Sequence, residues 1–329
     1  MNQKQSFLAE AQAALANYDI REPDICFLGH SDNLTFRVET PDGIISLLRL
    51  HRPVINYWEG IRQLPEVIAS ELAWLEALGL EGDFPVQRPL HTRDGQLVAK
   101  IEMNGTPVAC TLMTWETGEH FSPVSLDAPI QVERFGELVA RMNDFAGGWI
   151  PPAGFIRPQY NYDHFRRIFA RLLRGVDPGM FPEEVYWLLR STTQEILREI
   201  EAYSLAPEQW GMIHADLHVG NFLVHPLTGQ IIPIDFSFCG FGHYLFDVSV
   251  CLAGGLKPEL RPSFLTGYQR IHPLNDSEMR VIDAYVLAGK FSYFAYQIDN
   301  PTERTWMLRR IPEVAMKECR AFLQGGSIL

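Results

Sequence analysis

Ile213-His-Ala-Asp-Leu-His-Val-Gly-Asn221 runs directly into Phe222-Leu-Val-His-Pro-Leu-Thr-Gly-Gln-Ile-Ile-Pro-Ile-Asp235-Phe236. Two short apolar runs, Phe222 to Val224 and Ile231 to Ile234, flank the turn residues His225-Pro-Leu-Thr-Gly229 and are expected to pair as a β-hairpin. Asn221 then enters the hairpin and Asp235 leaves it, so their side chains are expected next to each other at its open end. A carboxylate beside an amide oxygen, with room for water and phosphate, suits a Mg²⁺ ion. Asp216 lies five residues before Asn221, on a connecting loop across from that position. A third acid, Asp247, sits in the apolar stretch Tyr244-Leu-Phe-Asp-Val-Ser249, where it is expected to cap or brace the loop.

A carboxylate placed like Asp216 has the role that phosphoryl transfer requires. It accepts the hydrogen bond and the proton of an attacking hydroxyl while cations neutralise charge on the phosphates. His214 is expected to orient the loop rather than to react, and His218 has no assigned role.

Upstream, from Cys26 to about Thr114, the texture is strand-like. Leu34-Thr-Phe-Arg-Val-Glu-Thr40 alternates, Pro41-Asp-Gly43 is turn chemistry and Ile44-Ile-Ser-Leu-Leu-Arg-Leu50 answers it as a hairpin. A helix is expected from Pro65 to Leu78, with Gly79 as its stop and Ile68, Leu72, Leu75 and Leu78 as its apolar stripe. Glu71 falls on that inward stripe, so its carboxylate requires a cation. Strands at Gln96 to Met103 and Thr106 to Thr114 follow the turn Arg93-Asp94-Gly95. Beyond Trp115 the texture turns helical: Phe135, Leu138, Val139, Met142 and Phe145 lie at helical spacing, and further helices are expected over Glu183–Tyr203, Ser277–Gln297 and Thr302–Leu323. Pro151 to Pro158 reads as a loop on the second, helix-rich lobe. The aromatic positions Tyr285, Phe291, Tyr293, Phe294 and Tyr296 are expected to be helix core.

The composition narrows the partners. Across 329 residues, 28 basic and 40 acidic side chains give 28 − 40 = −12, a charge that disfavours nucleic acid and anionic membrane surfaces and suits small or cationic ligands. The five cysteines are odd in number, widely spread and never in a C-x-x-C pair, which indicates neither a disulfide framework nor a zinc site. No secretory leader is legible in the first twenty residues, where Lys4 and Glu10 interrupt a helical Ala/Leu pattern, and no uncharged apolar run is long enough to span a membrane. A cytoplasmic protein is the expectation.

His214-x-Asp216-x-x-x-x-Asn221, followed fourteen residues later by Asp235-Phe236, resembles the protein-kinase-like pattern. His-Ala-Asp-Leu-His-x-x-Asn with Asp235 and Asp247 resembles the aminoglycoside phosphotransferase and choline kinase superfamily, which includes homoserine kinases of the same fold. The resemblance extends over nearly the whole chain, through Asn33-Leu-Thr-Phe-Arg-Val, Leu48-Arg-Leu-His-Arg-Pro53, Ser70-Glu-Leu-Ala-Trp-Leu75, Met113-Thr-Trp-Glu-Thr-Gly118 and Gly267-Tyr-Gln. It implies an α+β, two-lobe protein-kinase-like fold. Residues 1–115 would form a nucleotide-binding lobe of antiparallel sheet plus helix, and residues 116–329 a mostly helical lobe for catalysis and acceptor binding.

Carried over residue by residue, the resemblance implies Asp216 as catalytic base, Asn221 and Asp235 as Mg²⁺ ligands, Arg49 as the phosphate-contacting cation and Glu71 as its partner. Arginine, always charged and able to grip phosphate bidentately, stands where protein kinases have lysine. Leu112 to Trp115, including Met113 and Trp115, would be the hinge whose backbone meets the purine of ATP or GTP. The acceptor would be a small-molecule hydroxyl, on an amine-bearing alcohol of the aminoglycoside, choline or homoserine type, with cation–π contact available to hold it. Three departures stand out: Ala215 where the superfamily usually has glycine, Ser237 where glycine or aspartate is common, and no G-x-G-x-x-G, so that Leu28-Gly-His-Ser-Asp-Asn33 must cover the nucleotide.

Other readings stand beside this one. His214, Asp216 and His218 alternate as a metal cluster would, with Asp235 as a fourth ligand in a metal-dependent hydrolase. A pseudokinase would keep the fold and nucleotide binding without turnover. Arg49 and Glu71 could also be a surface ion pair.

Overall fold

The computed structural model describes residues 7–30, 33–52, 63–176, 181–203 and 207–329. Lys4, the Ser31-Asp32 part of the stretch expected to cover the nucleotide, and Pro53 lie outside the described residues. By internal contacts the chain forms two units. The first comprises Met1–Glu119 with Ile150–Arg157 and Ile232–Ser237; the second comprises His120–Trp149, Pro158–Ile231 and Phe238–Leu329.

The first unit runs α1 (Leu8–Leu15), β1 (Asp24–His30), β2 (Leu34–Glu39), β3 (Ile45–Leu50), α2 (Pro65–Leu80), β4 (Pro89–Leu90), β5 (Ala99–Met103) and β6 (Thr106–Thr114). The strands form one antiparallel sheet in the order β1-β2-β3-β6-β4, with β5 paired to β6. The expected β2–β3 hairpin is present in register, Thr35 facing Arg49 and Phe36 facing Leu48. Its turn closes through Thr40 N–H to Ile44 O at 2.9 Å, with Gly43 at φ 84°.

Period-two alternation sorts the sheet's faces. Leu34, Phe36, Val38, Leu48 and Leu50 pack with Ala11, Ala14 and Leu15 of α1 in one buried cluster. Arg49, between Leu48 and Leu50, points to the other face, where its guanidinium meets Glu71 of α2. The α2 stripe Ile68, Leu72, Leu75 and Leu78 is buried, as the helical spacing requires.

Two element ends differ from expectation. Helix α2 continues through Gly79 to Leu80, because the missing side chain at Gly79 makes room for Arg88, whose Cγ would lie 3.0 Å from a Cβ there. The helix stops beyond it: Gly82 N–H bonds Ala77 O, Phe84 N–H bonds Leu78 O, and Asp83 turns left-handed at φ 52°. Strand β5 begins at Ala99 rather than Gln96, because Gln96 closes the preceding turn through both its backbone groups on Thr92.

After β7 (Glu119–His120), the elements that follow are α3 (Ala128–Gly148), β8 (Gln159–Tyr160), α4 (Tyr162–Gly175), α5 (Glu183–Tyr203), β9 (Trp210–Ile213), β10 (Phe222–Val224), β11 (Ile231–Pro233), β12 (Gly240–His243), α6 (Tyr244–Ala253), α7 (Arg261–Gln269), α8 (Asp276–Gln297), α9 (Arg304–Val314) and α10 (Arg320–Leu323). In the second unit α8 packs against α4, α5 and α6, and a small sheet runs β8-β12-β9. Phe165, Phe246 and Tyr285 meet pairwise, ring centroids 5.4–5.7 Å apart, at the centre of this packing. Tyr285, Phe291 and Phe294 are core as expected, whereas Tyr293 is 46 % exposed and lies edge-on to Trp306.

The tail, expected as one helix, is divided. Pro312 sits inside α9, and a π-helical turn over Ala315–Cys319 precedes α10, as happens where a helix loses a backbone donor. The segment Ile150–Arg157, read from sequence as a loop of the second lobe, belongs to the first unit, held there by Arg157.

Candidate active site

In the second unit, β9 ends at Ile213 and delivers the chain into the loop that carries Asp216. The loop is held from α6. Asp247, buried in the first turn of that helix, accepts the backbone N–H groups of His214 and Ala215, both at 2.7 Å. Burial pushes its carboxyl up to about 6, and the two backbone donors pull the other way. Ala215 is left-handed at φ 64°, which explains why glycine suits this position. The brace expected of Asp247 is therefore present.

Asp216 follows with its side chain 37 % exposed. Its N–H donates to Nδ1 of the buried His214 at 3.3 Å, so that ring orients the loop. Asn221 reaches back with its amide nitrogen to the Asp216 carbonyl at 2.8 Å and to its Oδ2 at 3.0 Å. The amide nitrogen of Asn221 is thus committed to Asp216. His218 accepts the Gly220 N–H on Nδ1 at 3.0 Å, and its Nε2 lies 4.0 Å from Asp216 Oδ2. The hydrolase reading needed His214, Asp216 and His218 gathered as ligands, and among the described residues no group of three or more His, Cys, Asp or Glu is so gathered.

The hairpin turn forms as expected, through His225 N–H to Gln230 O and Gly229 N–H to His225 O, both 2.9 Å, between β10 and β11. Asp235, two residues past β11, belongs to the first unit and is left-handed at φ 62°. Ser237, the second departure from the superfamily pattern, donates its hydroxyl to Asp235 Oδ1 at 2.8 Å.

Around Asp235 the first unit assembles three further charged side chains. Arg49 Nη1 lies 3.3 Å from Glu71 Oε1, and its Nη2 lies 3.9 Å from Asp235 Oδ1. Arg157 Nη1 lies 3.8 Å from Glu71 Oε2. Arg49, Glu71 and Arg157 are buried, while the Asp235 side chain is 45 % exposed. Arg49 and Glu71 are thus a buried pair and not a surface one. His51, just past the end of β3, is held neutral, its pKa lowered to about 3 by burial and by the charge of Arg49. Met113 is fully buried in β6, and Trp115 is half-buried just after it.

Sequence reading missed Arg157. Its only signal was a lone cation in the apolar, proline-rich stretch Pro151 to Pro158. Ser237 was noted as a departure without its bond to Asp235.

Known proteins supply an independent comparison. A solved structure of a microcompartment-associated aminopropanol kinase superposes with a TM-score of 0.76 at 25 % identity, covering 97 % of this chain and 98 % of that one. A structure of amicoumacin kinase in complex with AMP-PNP, Ca²⁺ and Ami has a TM-score of 0.75 at 19 % identity, covering 97 % and 96 %. The amicoumacin kinase of Bacillus subtilis (strain 168) is 19 % identical over 299 residues, 86 % of this chain and 81 % of its own. The fold is the protein-kinase-like α+β fold expected from the motif. Residues 24–281 match the model of the phosphotransferase enzyme family, and the chain, a small-molecule kinase, belongs to that family.

Proposed function

We propose that the chain transfers the γ-phosphoryl group of ATP (or GTP) to a hydroxyl of a small amine-bearing alcohol, with Asp216 as the base. The observation that carries this reading is the Asp216–Asn221 pair, in which the amide nitrogen holds a part-exposed carboxylate and leaves the amide oxygen to a cation. Asp216 would accept the hydroxyl proton as the oxygen attacks phosphorus. In the first unit Arg49, held by Glu71, would grip phosphate oxygens, and the hinge around Met113 and Trp115 would meet the purine. Residues 1–115 would supply nucleotide binding, and residues 116–329 catalysis and the acceptor site.

Asn221 and Asp235 would hold Mg²⁺. The donor set fits, since both offer hard oxygen atoms of the kind Mg²⁺ takes alongside water and phosphate. Bound there, the ion would supply charge neutralisation to the phosphates.

The acceptor class draws support from the relatives. The names aminopropanol kinase and aminoglycoside phosphotransferase denote enzymes of molecules that bear both an amine and a hydroxyl. The net charge of −12 suits a cationic acceptor. All five cysteines are free thiols, four of them buried, in line with a cytoplasmic setting. No described helix is long and apolar enough to cross a membrane.

A panel of amino alcohols, aminoglycosides, choline and homoserine, scored for Mg²⁺-dependent release of ADP or GDP, tests the reading. Acceptor-dependent release from at least one amine-bearing alcohol is expected. Nucleotide binding without release from any of them would favour a pseudokinase.

A further inference from the structure

Arg157 joins three parts of the first unit that are distant in sequence. Its Nη1 donates to Val67 O in the first turn of α2 at 3.1 Å and lies 3.8 Å from Glu71 Oε2. Its Nη2 donates to Ser237 O at 2.8 Å, across 80 residues of chain. Next to it, Ile156 N–H donates to Ser70 Oγ on α2 at 2.9 Å. These bonds account for two stretches from later in the chain, Ile150–Arg157 and Ile232–Ser237, assembling with the sheet and α2.

Neutralising Glu71 takes one cation, and Arg49 supplies it at 3.3 Å. Burying a second guanidinium, its side chain 1 % exposed, is costly unless its donors are used. They are used on two backbone carbonyls, one in α2 and one two residues past Asp235. Asp235 itself is a non-glycine residue at φ 62°, a conformation that persists only where the surroundings hold it. Lysine, a point cation on a flexible stem, would not reach in both directions as the guanidinium fork does.

We propose that Arg157 is a positioning residue for the metal site: by tying the Ser237 carbonyl to α2 it fixes the Asp235 carboxylate beside the Arg49–Glu71 pair, and so sets the affinity of Asp235 for its divalent ion. The inference rests on the reading of Asp235 as a Mg²⁺ ligand.

The test is binding of a non-hydrolysable ATP analogue to the full chain, titrated with Mg²⁺, in the wild type, Arg157→Lys and Arg157→Met. Removing a partner that orients a metal ligand is expected to raise the Mg²⁺ concentration for half-maximal enhancement by about 10–100-fold. Metal-free analogue affinity should stay within about two-fold, and lysine should not restore the wild-type midpoint. A lowered melting temperature with an unshifted Mg²⁺ midpoint would show a merely structural role and overturn the proposal. Should neither variant fold, Ser70→Ala loosens the same segment with every charge in place; a raised Mg²⁺ midpoint is then expected, and a wild-type midpoint would overturn it. Wild-type binding indifferent to Mg²⁺ would instead overturn the metal-ligand reading itself, a result distinguishable because it needs no variant.

Discussion

Ala215 holds φ at 64°, a left-handed conformation that costs an L side chain about 1–2 kcal/mol, and the His214 and Ala215 N–H groups accepted by Asp247 offset that cost. The same carboxylate introduces a pH dependence. Its folded-state pKa rises from 3.8 to about 6 through burial. Between those values the folded chain keeps a proton that the unfolded chain has released. Stability therefore falls as pH rises through the window, by up to about 3 kcal/mol. Asp247→Asn cannot titrate and loses one acceptor. Denaturant unfolding should show its deficit against wild type greatest near pH 4 and smaller by about 3 kcal/mol at pH 7; parallel pH–stability curves would refute the assignment. Asp216 allows a sharper separation. Asp216→Asn keeps an oxygen for the Asn221 amide, which binds Asp216 Oδ2 at 3.0 Å, but removes the charge that attracts the hydroxyl proton. Turnover should fall by about 10²–10⁴-fold with nucleotide affinity nearly unchanged. Collapse of binding at a wild-type rate of residual turnover would instead make Asp216 a metal ligand. The brace by Asp247 was legible in sequence, because an acid inside an apolar run must be compensated, and so was the open loop position of Asp216. The bond from Ser237 to Asp235 was not, since a serine hydroxyl has many partners within reach of any loop.

Helices and strands were legible wherever one periodicity dominated. Glu183–Tyr203 was read to the residue, and the β2–β3 hairpin nearly so, because alternation and turn chemistry agree there. Boundaries failed where a glycine served packing rather than termination, as at Gly79, or where a turn captured the next residue, as at Gln96. Two glycines show the packing role most plainly. A Cβ at Gly267 of α7 would lie 1.8 Å from Glu133 O of α3, and one at Gly136 would lie 2.1 Å from Phe264 O. The two helices therefore cross backbone to backbone, and Asn143 bonds Tyr268 hydroxyl at 3.1 Å beside the crossing. Because both obstructing atoms are main-chain carbonyls, no rotamer change relieves the contact. Gly267→Ala is expected to lower unfolding free energy by about 1–3 kcal/mol, at the upper end if the helices separate rather than shift. Urea titration reads the change, and an unaltered midpoint would mean that the helices do not approach here.

At the scale of the whole molecule, the feature hardest to read from sequence is the recruitment of residues 150–157 and 232–237 into a unit otherwise built from the first 119. Local pattern carries no information on contacts made across 80 or 90 residues, and Arg157 gave no periodic signal. The need of Glu71 for a cation was legible, because it falls on an inward helical stripe, and the family resemblance pointed to Arg49 as that cation. What sequence could not show is that two guanidinium groups share that single carboxylate, 3.3 and 3.8 Å from its two oxygens. This sharing fixes the sign of the coupling. Glu71→Gln leaves both Arg49 and Arg157 in a buried site without their shared counter-charge, and removing one partner of a buried pair costs about 3–5 kcal/mol. Arg49→Met leaves Glu71 with Arg157 as its cation and should cost less. In the double variant the methionine removes one of the two cations stranded by Glu71→Gln, so the combined loss should fall short of the sum of the single losses. Unfolding free energies of the four proteins, measured by chemical denaturation under one set of conditions, decide the matter. Losses that add within about 0.5 kcal/mol would show that Arg49 and Glu71 act independently. If Arg49 grips phosphate as proposed, nucleotide affinity should follow the same pattern, because Arg49 then lacks the Glu71 charge that aims its guanidinium.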